Sequence, residues 1–301
     1  MSEKRKIKDG TLWQIIAHVV MFTGAVLALL PFILLVIASF TDNQTALVNG
    51  YSFMPEIWSL EAYKYIASEW GTIGRAYLMT IVVTVAGTLL SLVITSTFAF
   101  AVSYDKLPGY KILMFMSIFT MLFNGGIVAS YYVYSNIFSI KNTIWALIVP
   151  TFLMSPFNVV LVKNYFTNSI SPSILEAAKI DGAGVFSIFV RIVMPLSMPI
   201  MATIGLMTAI SYWNDWTNGL YFLNENGGTQ YYTIQLVLNK INENINFLAN
   251  NSELAAKATQ QLPSTTMRMA VAVIGILPIV CAYPFFQKYF VKGITMGGVK
   301  E

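Results

Sequence analysis

Residues 171–199 read "SPSILEAAKIDGAGVFSIFVRIVMPLSMP", a polar and sharply punctuated segment in a chain that is otherwise mostly apolar. Ser171 ahead of Pro172 supplies an N-cap and a rigid first helical residue, and Ser173 with Glu176 three places on offers an overlapping capping box. A helix is expected to run through "ILEAAKI" and to stop at Asp181 and Gly182, where glycine takes the left-handed turn that ends helices. Some nine residues make a rod of roughly 13 Å, too short to cross a bilayer. A second amphipathic segment follows, with Phe186, Phe189 and Ile192 on one stripe, and Pro195 and Pro199 mark the start of the next apolar run.

The rest of the chain sets the environment of that helix. Of 301 residues, 56% are hydrophobic and 11% charged, against roughly 25% charged in soluble domains. The composition describes an integral membrane protein. Six stretches approach the ~20 apolar residues that a span demands: 13–40, 76–103, 110–134, 143–162, 192–213 and 267–287. Lipid leaves backbone amides unsatisfied unless each segment bonds internally, and these runs lack the alternation of barrel strands. The expected class is therefore all-α, a polytopic membrane bundle of six helices.

Lysine and arginine orient it. With the N-terminus inside, Lys4, Arg5, Lys6, Lys8, Lys106, Lys111, Lys163, Lys179, Arg191, Lys288, Lys292 and Lys300 fall on the inner side. Lys64, Arg75, Lys141, Lys240, Lys257 and Arg268 fall outside, half as many. Both termini are then expected in the cytoplasm, as short tails of residues 1–12 and 288–301 flanking a membrane domain of residues 13–287. The inner loop 163–191 carries the short helix, and the outer loop 214–266 is the longest on the other side. The first apolar run is too long for a signal-peptide core and is read as a retained span. The net charge of +4 is dispersed over the loops, with no basic stripe for nucleic acid.

Other chemistries lack their residues. No G-x-x-x-x-G-K-[ST] is present, and "GAGVFS" lacks the third glycine of a dinucleotide fingerprint and follows a helix. His18 is the single histidine and lies in the first span; Cys281 is the single cysteine. Neither a histidine-based metal site or triad nor a cysteine site can be assembled from them. No cofactor is expected in this chain.

The short helix by itself fits two roles, an interfacial linker with solvated charges or a rod that docks in the groove of another protein. Ala177 and Ala178 allow close approach, and Glu176, Lys179 and Asp181 fix register. The string "EAAKIDGAGVFSIFVRIVMPLSMP" resembles the EAA motif of permease subunits in ATP-binding cassette importers, with glutamate, two alanines, Asp-Gly and a proline thirteen residues after the glycine. "YDKLPGYK", "LFNGGIVASYY", "SYWNDW" and "YPFFQKYFVKGITMGGVK" extend the likeness toward the second permease of an oligosaccharide system of the type I class. The resemblance implies that Glu176, Ala177, Ala178, Asp181 and Gly182 form a cytoplasmic coupling helix in a cleft of an ATPase subunit. It further implies a bacterial cytoplasmic membrane location, a heterodimer with a homologous permease and two ATPase subunits that bind ATP and magnesium. An extracytoplasmic solute-binding protein and a sugar substrate complete the set.

Two further stretches are candidates for the substrate path. Asn124, Gly125 and Gly126 interrupt the third apolar run, either as an unwound end lining a cavity or as a close helix contact. Tyr212, Trp213, Asn214, Asp215 and Trp216 combine ring faces with amide and carboxylate groups that suit sugars, but Trp and Tyr also form interfacial belts. The outer loop is expected to fold into short amphipathic helices, either a self-packed cap or a contact for the binding protein. The rival readings are a secondary transporter driven by an ion gradient, which needs buried ionisable residues and inverted repeats, and an intramembrane enzyme, which needs acids, a metal set or a nucleophile with its base. The sequence arranges neither set.

Overall fold

The computed structural model describes residues 2–103, 107–249 and 265–296. Among these there is no β-strand, only an isolated antiparallel bridge between Thr41 and Trp58. The chain divides into two compact units, Met1–Trp70 with Ile241–Ile276, and Gly71–Lys240 with Leu277–Glu301.

In the first unit, α1 (Ser2–Ser39) is a single rod whose apolar side chains stay exposed from Leu12 to Ile33. The expected inner tail therefore opens as helix and runs without a break into the span. A helix apolar all round and uncovered by its own chain is suited to lipid or to another apolar helix. At its C-terminal end the Ser39 hydroxyl donates to the Val36 carbonyl and bonds the Tyr63 hydroxyl at 2.8 Å, while Phe40 stacks on Tyr63. Asp42 caps α2 (Asn43–Asn49) by accepting the Thr45 amide at 3.1 Å. Then comes α3 (Glu61–Ser68), with Ala62 and Ile66 buried.

In the second unit, α4 (Trp70–Ser103) is the central span. Its buried face runs through Ala76, Thr80, Gly87, Ser91 and Ala99, small residues at helical spacing that let other helices approach closely. The third, fourth and fifth expected spans keep their positions but lose their continuity, whereas the sixth lies within one helix. The third stops as α5 (Tyr110–Leu122), leaves the helix over residues 123–125, and resumes as α6 (Gly126–Tyr132), which runs into a wider π-type turn, Val133–Ile137. The fourth is α7 (Trp145–Ile148), an irregular stretch, then α8 (Pro156–Ser169). Pro156 sets the restart: Ser155 before it is extended, as a following proline favours, and Pro156 opens α8.

Beyond the inner loop, α9 (Pro172–Ile180) precedes α10 (Val185–Ile188), a π-type turn Phe189–Val193 and α11 (Met194–Leu196). The helix then bends by 78° into α12 (Met198–Trp213). Of the expected stripe, Phe189 is buried and Ile192 packs against the same cluster, whereas Phe186, in the short helix ahead of the π-type turn, is exposed and departs from it. The outer loop holds α13 (Thr217–Phe222) and α14 (Ile234–Ala249), and α15 (Thr265–Met296) carries Pro278 and Pro284 inside one helix. The expected outer loop, 214–266, is helical in its described part, but one of its helices is longer than the short pieces expected, and residues 250–264 lie outside the described residues.

Two buried clusters hold this unit together. One gathers Val102, Val159, Phe166, Ala178, Phe189 and Ile204 around the inner loop. The other gathers Val83, Leu147, Tyr212, Phe222, Leu223 and Leu236 at the opposite end of α4 and α12.

Candidate functional site

The helix α9 is built as the sequence requires at its C-terminus and differently at its N-terminus. Ser171 holds extended backbone angles, but its hydroxyl bonds the Ser173 hydroxyl at 2.7 Å and accepts no helix amide. The expected side-chain cap and capping box are not formed; Pro172 in the first turn already removes one of the unpaired donors. At the other end the Ala183 amide donates to the Ala178 carbonyl at 2.9 Å and the Gly182 amide to Lys179 at 3.0 Å, with Gly182 at φ +79°. These two bonds are a Schellman motif, and the positive φ makes glycine the favoured residue.

The same helix separates its alanines. Ala177 is exposed together with Glu176, Asp181 and Gly182, whereas Ala178 is 9% exposed and packs into the inner cluster. Ala178 fastens the rod to its own subunit and presents no surface to another. Ile180, 87% exposed, and Phe186, 78% exposed, are uncovered as well. Exposed large apolar side chains beside charged ones suit a surface for a protein partner. Sequence reading missed Ile180 and Phe186 as surface, because a regular helical period through 186–192 assigns Phe186 to the interior.

Asn124, Gly125 and Gly126 form a true break. The Asn124 side-chain oxygen accepts the Gly126 amide at 2.7 Å, and Gly126 has φ +77°. A side chain at Gly126 would meet no atom within 4 Å, so close packing inside this chain does not explain it. All three residues are exposed.

The Tyr212–Trp216 stretch is divided. Tyr212 is buried, its hydroxyl donating to the Ile148 carbonyl at 2.7 Å. Trp213 is also buried, with its ring 6.4 Å from that of Tyr77. Asp215 is buried and its carboxylate accepts the Thr217 and Asn218 amides at 3.0 and 3.2 Å, the first two donors of α13. Burial pushes the Asp215 carboxyl above the usual carboxylate range, and its bonds from Asn218 and Thr217 oppose that shift. Only Asn214 and Trp216 remain exposed, and the Asn214 side-chain oxygen accepts from Gln235 at 3.4 Å.

A cavity of about 320 Å³ lies between the start of α8 and the middle of α12, lined by Phe152, Ser155, Asn158, Thr208 and Ser211 among others. Asn158 donates to the Thr208 hydroxyl at 3.3 Å, and Phe152 meets Tyr212 edge-on at 5.3 Å. Aromatic rings with hydroxyl and amide groups beside them suit a polyhydroxylated solute. Sequence reading passed over this group; its signal was the polar Asn158, Thr208 and Ser211 inside otherwise apolar runs. Among the described residues no group of three or more His, Cys, Asp or Glu is placed to hold a metal.

Comparison with known proteins agrees with this geometry. The model of the family described as "Binding-protein-dependent transport system inner membrane component" matches residues 107–296. The polygalacturonan/rhamnogalacturonan transport system permease protein YtcP of Bacillus subtilis is 37% identical over 277 residues, 92% of this chain and 94% of that one. Protein LplC of the same organism is 34% identical over 283 residues, covering 93% of each chain. Among solved structures, a bacterial ABC transporter involved in the import of the acidic polysaccharide alginate contains a chain that superposes with a TM-score of 0.77. The two are 29% identical, over 93% of this chain and 96% of that one. The broken spans, the exposed rod α9 and these matches together place the chain in the family of binding-protein-dependent transport system inner membrane components, the permease subunits of ABC importers, a transport component and not an enzyme.

Proposed function

We propose that this chain is the second permease of an ATP-driven importer for an oligosaccharide, forming half of the translocation path beside a homologous permease. Two ATPase subunits bind ATP and magnesium on the cytoplasmic side, and an extracytoplasmic binding protein delivers the sugar. Both termini face the cytoplasm, which the two-to-one distribution of Lys and Arg supports. The relatives that carry names for polygalacturonan and alginate support an acidic oligosaccharide, since both polymers are chains of uronates.

The observation that carries this reading is the surface of α9: Glu176, Ala177 and Asp181 are exposed on a rod anchored by buried Ala178, with Ile180 and Phe186 exposed as well. A rod anchored by its buried face transmits a push from its exposed face into the inner cluster, which includes Ile200 and Ile204 of α12. The cavity beside Asn158 and Thr208, on the same α12, is the segment of the path that such a movement reshapes. Asn124, Asn214 and Trp216, the exposed members of the two polar stretches, are assigned to the rim of the path or to the neighbouring permease.

Glu176→Lys tests the reading. The substitution reverses charge on the exposed face outside the bilayer, so the spans insert and the permease pair assembles. Loss of ATPase subunits from the purified complex, or of hydrolysis stimulated by loaded binding protein, is the expected result. Full ATPase content with normal stimulated hydrolysis removes the coupling role from α9.

A further inference from the structure

At the outer end of the second unit two lysines are held by phenols. The Lys141 ammonium donates to the Tyr131 hydroxyl at 2.6 Å and lies 5.1 Å from the centre of that ring. The Lys240 ammonium donates to the Tyr232 hydroxyl at 2.7 Å and lies 4.3 Å from its ring. Lys240 also reaches the Glu225 carboxylate at 3.6 Å, but that side chain is 84% exposed; no described carboxylate reaches Lys141.

Lys141 sits on a built platform, and Lys240 is tied through Glu225 and Tyr232 to the 223–232 loop that completes it. Asn142, next to Lys141, donates through its side-chain amide to the Asn224 side-chain oxygen and accepts the Asn224 backbone amide, each at 2.8 Å. The Asn142 backbone amide donates to the Phe222 carbonyl at 3.0 Å. Tyr131 stacks on Phe222 with ring planes 13° apart, and Tyr134 meets Phe222 edge-on. A Cβ at Gly228 would stand 2.7 Å from the Asn142 side-chain oxygen, so glycine is needed where the loops cross. Ser139 and Asn142 hold φ of +52° and +57°, backbone strain beside Lys141 that the reciprocal asparagine bonds retain.

An ammonium bonded to one phenol has spare donors, and a phenol and a ring face compensate its charge less than a carboxylate does. We infer that Lys141, with Tyr131 and Lys240 on the Asn142–Asn224 platform, is a carboxylate-binding subsite for a uronate unit of the sugar at the outer mouth of the path. This rests on the importer reading, with α6 and the 223–232 loop facing outward. Lys141 bonds the carboxylate, while Tyr131, stacked on Phe222, holds the ammonium in place. A neutral oligosaccharide gains nothing from the charge, so the subsite separates acidic from neutral cargo.

The test uses the complete transporter with its binding protein, a galacturonate oligomer as probe and the methyl-esterified oligomer as the neutral control. In the wild-type complex, acylation of Lys141 by an amine-reactive reagent, read by mass spectrometry, should slow when the galacturonate oligomer is present and not with the ester. Lys141→Gln should lower the galacturonate uptake rate about tenfold, the fold expected for one lost charge-assisted hydrogen bond, and Lys141→Arg should restore most of it. Unchanged acylation of Lys141 while the wild type imports the acidic oligomer overturns the subsite and leaves the importer reading intact. Equal loss of ester and acid uptake in Lys141→Gln also overturns it, as a purely structural role predicts. A wild type that imports a neutral sugar and no galacturonate instead overturns the acidic cargo itself, a different result.

Discussion

The ring of Tyr212 lies on Gly87, so near that a Cβ built at Gly87 would stand 2.5 Å from the ring carbon bearing the hydroxyl. That contact joins α12 to α4, and the Tyr212 hydroxyl extends it by donating to Ile148 at 2.7 Å. Gly87→Ala must displace a fully buried ring, and overpacking of this kind costs about 1–3 kcal/mol. Tyr212→Phe keeps the ring but strands the Ile148 carbonyl, a loss of about 1–3 kcal/mol. Both variants should lower the thermal stability of the purified complex, and Gly87→Ala should also reduce the amount that reaches the membrane. Wild-type stability in Gly87→Ala would show that the two helices can part without cost.

The alanine pair in α9 makes a sharper distinction. Ala177 is exposed and Ala178 packs among buried residues, so the same substitution has opposite consequences at adjacent positions. Ala178→Trp overfills the subunit's own cluster at about 1–3 kcal/mol or more and should reduce membrane levels of the permease. Ala177→Trp should leave those levels unchanged and displace the ATPase subunits. Co-purification of ATPase, measured against permease content, separates the two; identical behaviour of both variants contradicts the division of the helix.

Orientation is tested by placing single cysteines at Asn244 and Ser173, both exposed, in a Cys281→Ala background. An impermeant thiol reagent added to intact cells should label Asn244→Cys and spare Ser173→Cys until the membrane is opened. The reverse pattern turns the permease over and puts α9 out of reach of a cytoplasmic ATPase.

The elements that the sequence made legible are those decided by local chemistry. Gly182 ends α9 where a left-handed residue was required, and the first two apolar runs became α1 and α4. What escaped reading depends on partners distant in sequence. The burial of Tyr212 depends on a glycine 125 positions earlier, whereas the bonds from Thr217 and Asn218 to Asp215 span two and three residues and belong to local capping chemistry. Hydropathy averages also hide breaks: the runs 110–134 and 143–162 look continuous until Gly126 and Pro156 are placed. The cavity group escaped for the same reason, since Asn158 and Thr208 gain meaning only when α8 and α12 lie side by side.

Asp215 offers a prediction in which pH supplies the sign. Its folded carboxyl titrates above the ordinary value because burial disfavours the anion. A raised folded value means that the native state holds the proton longer than the unfolded chain does. The associated stability is fully present at pH below the unfolded carboxyl's range and is lost as pH rises through the folded value. Asp215→Asn removes that titration and keeps an oxygen able to accept the Thr217 and Asn218 amides, as asparagine does at helix starts. The variant should therefore match the wild-type complex in acid and become the more stable of the two as pH rises toward neutrality. Asp215→Ala lacks the acceptor and should be less stable by about 1 kcal/mol at acid pH, where charge is not the issue. Thermal unfolding of the three complexes across that pH range is the measurement. A wild type that gains stability over Asp215→Asn with rising pH would mean that the bonds to α13 outweigh the burial of the charge.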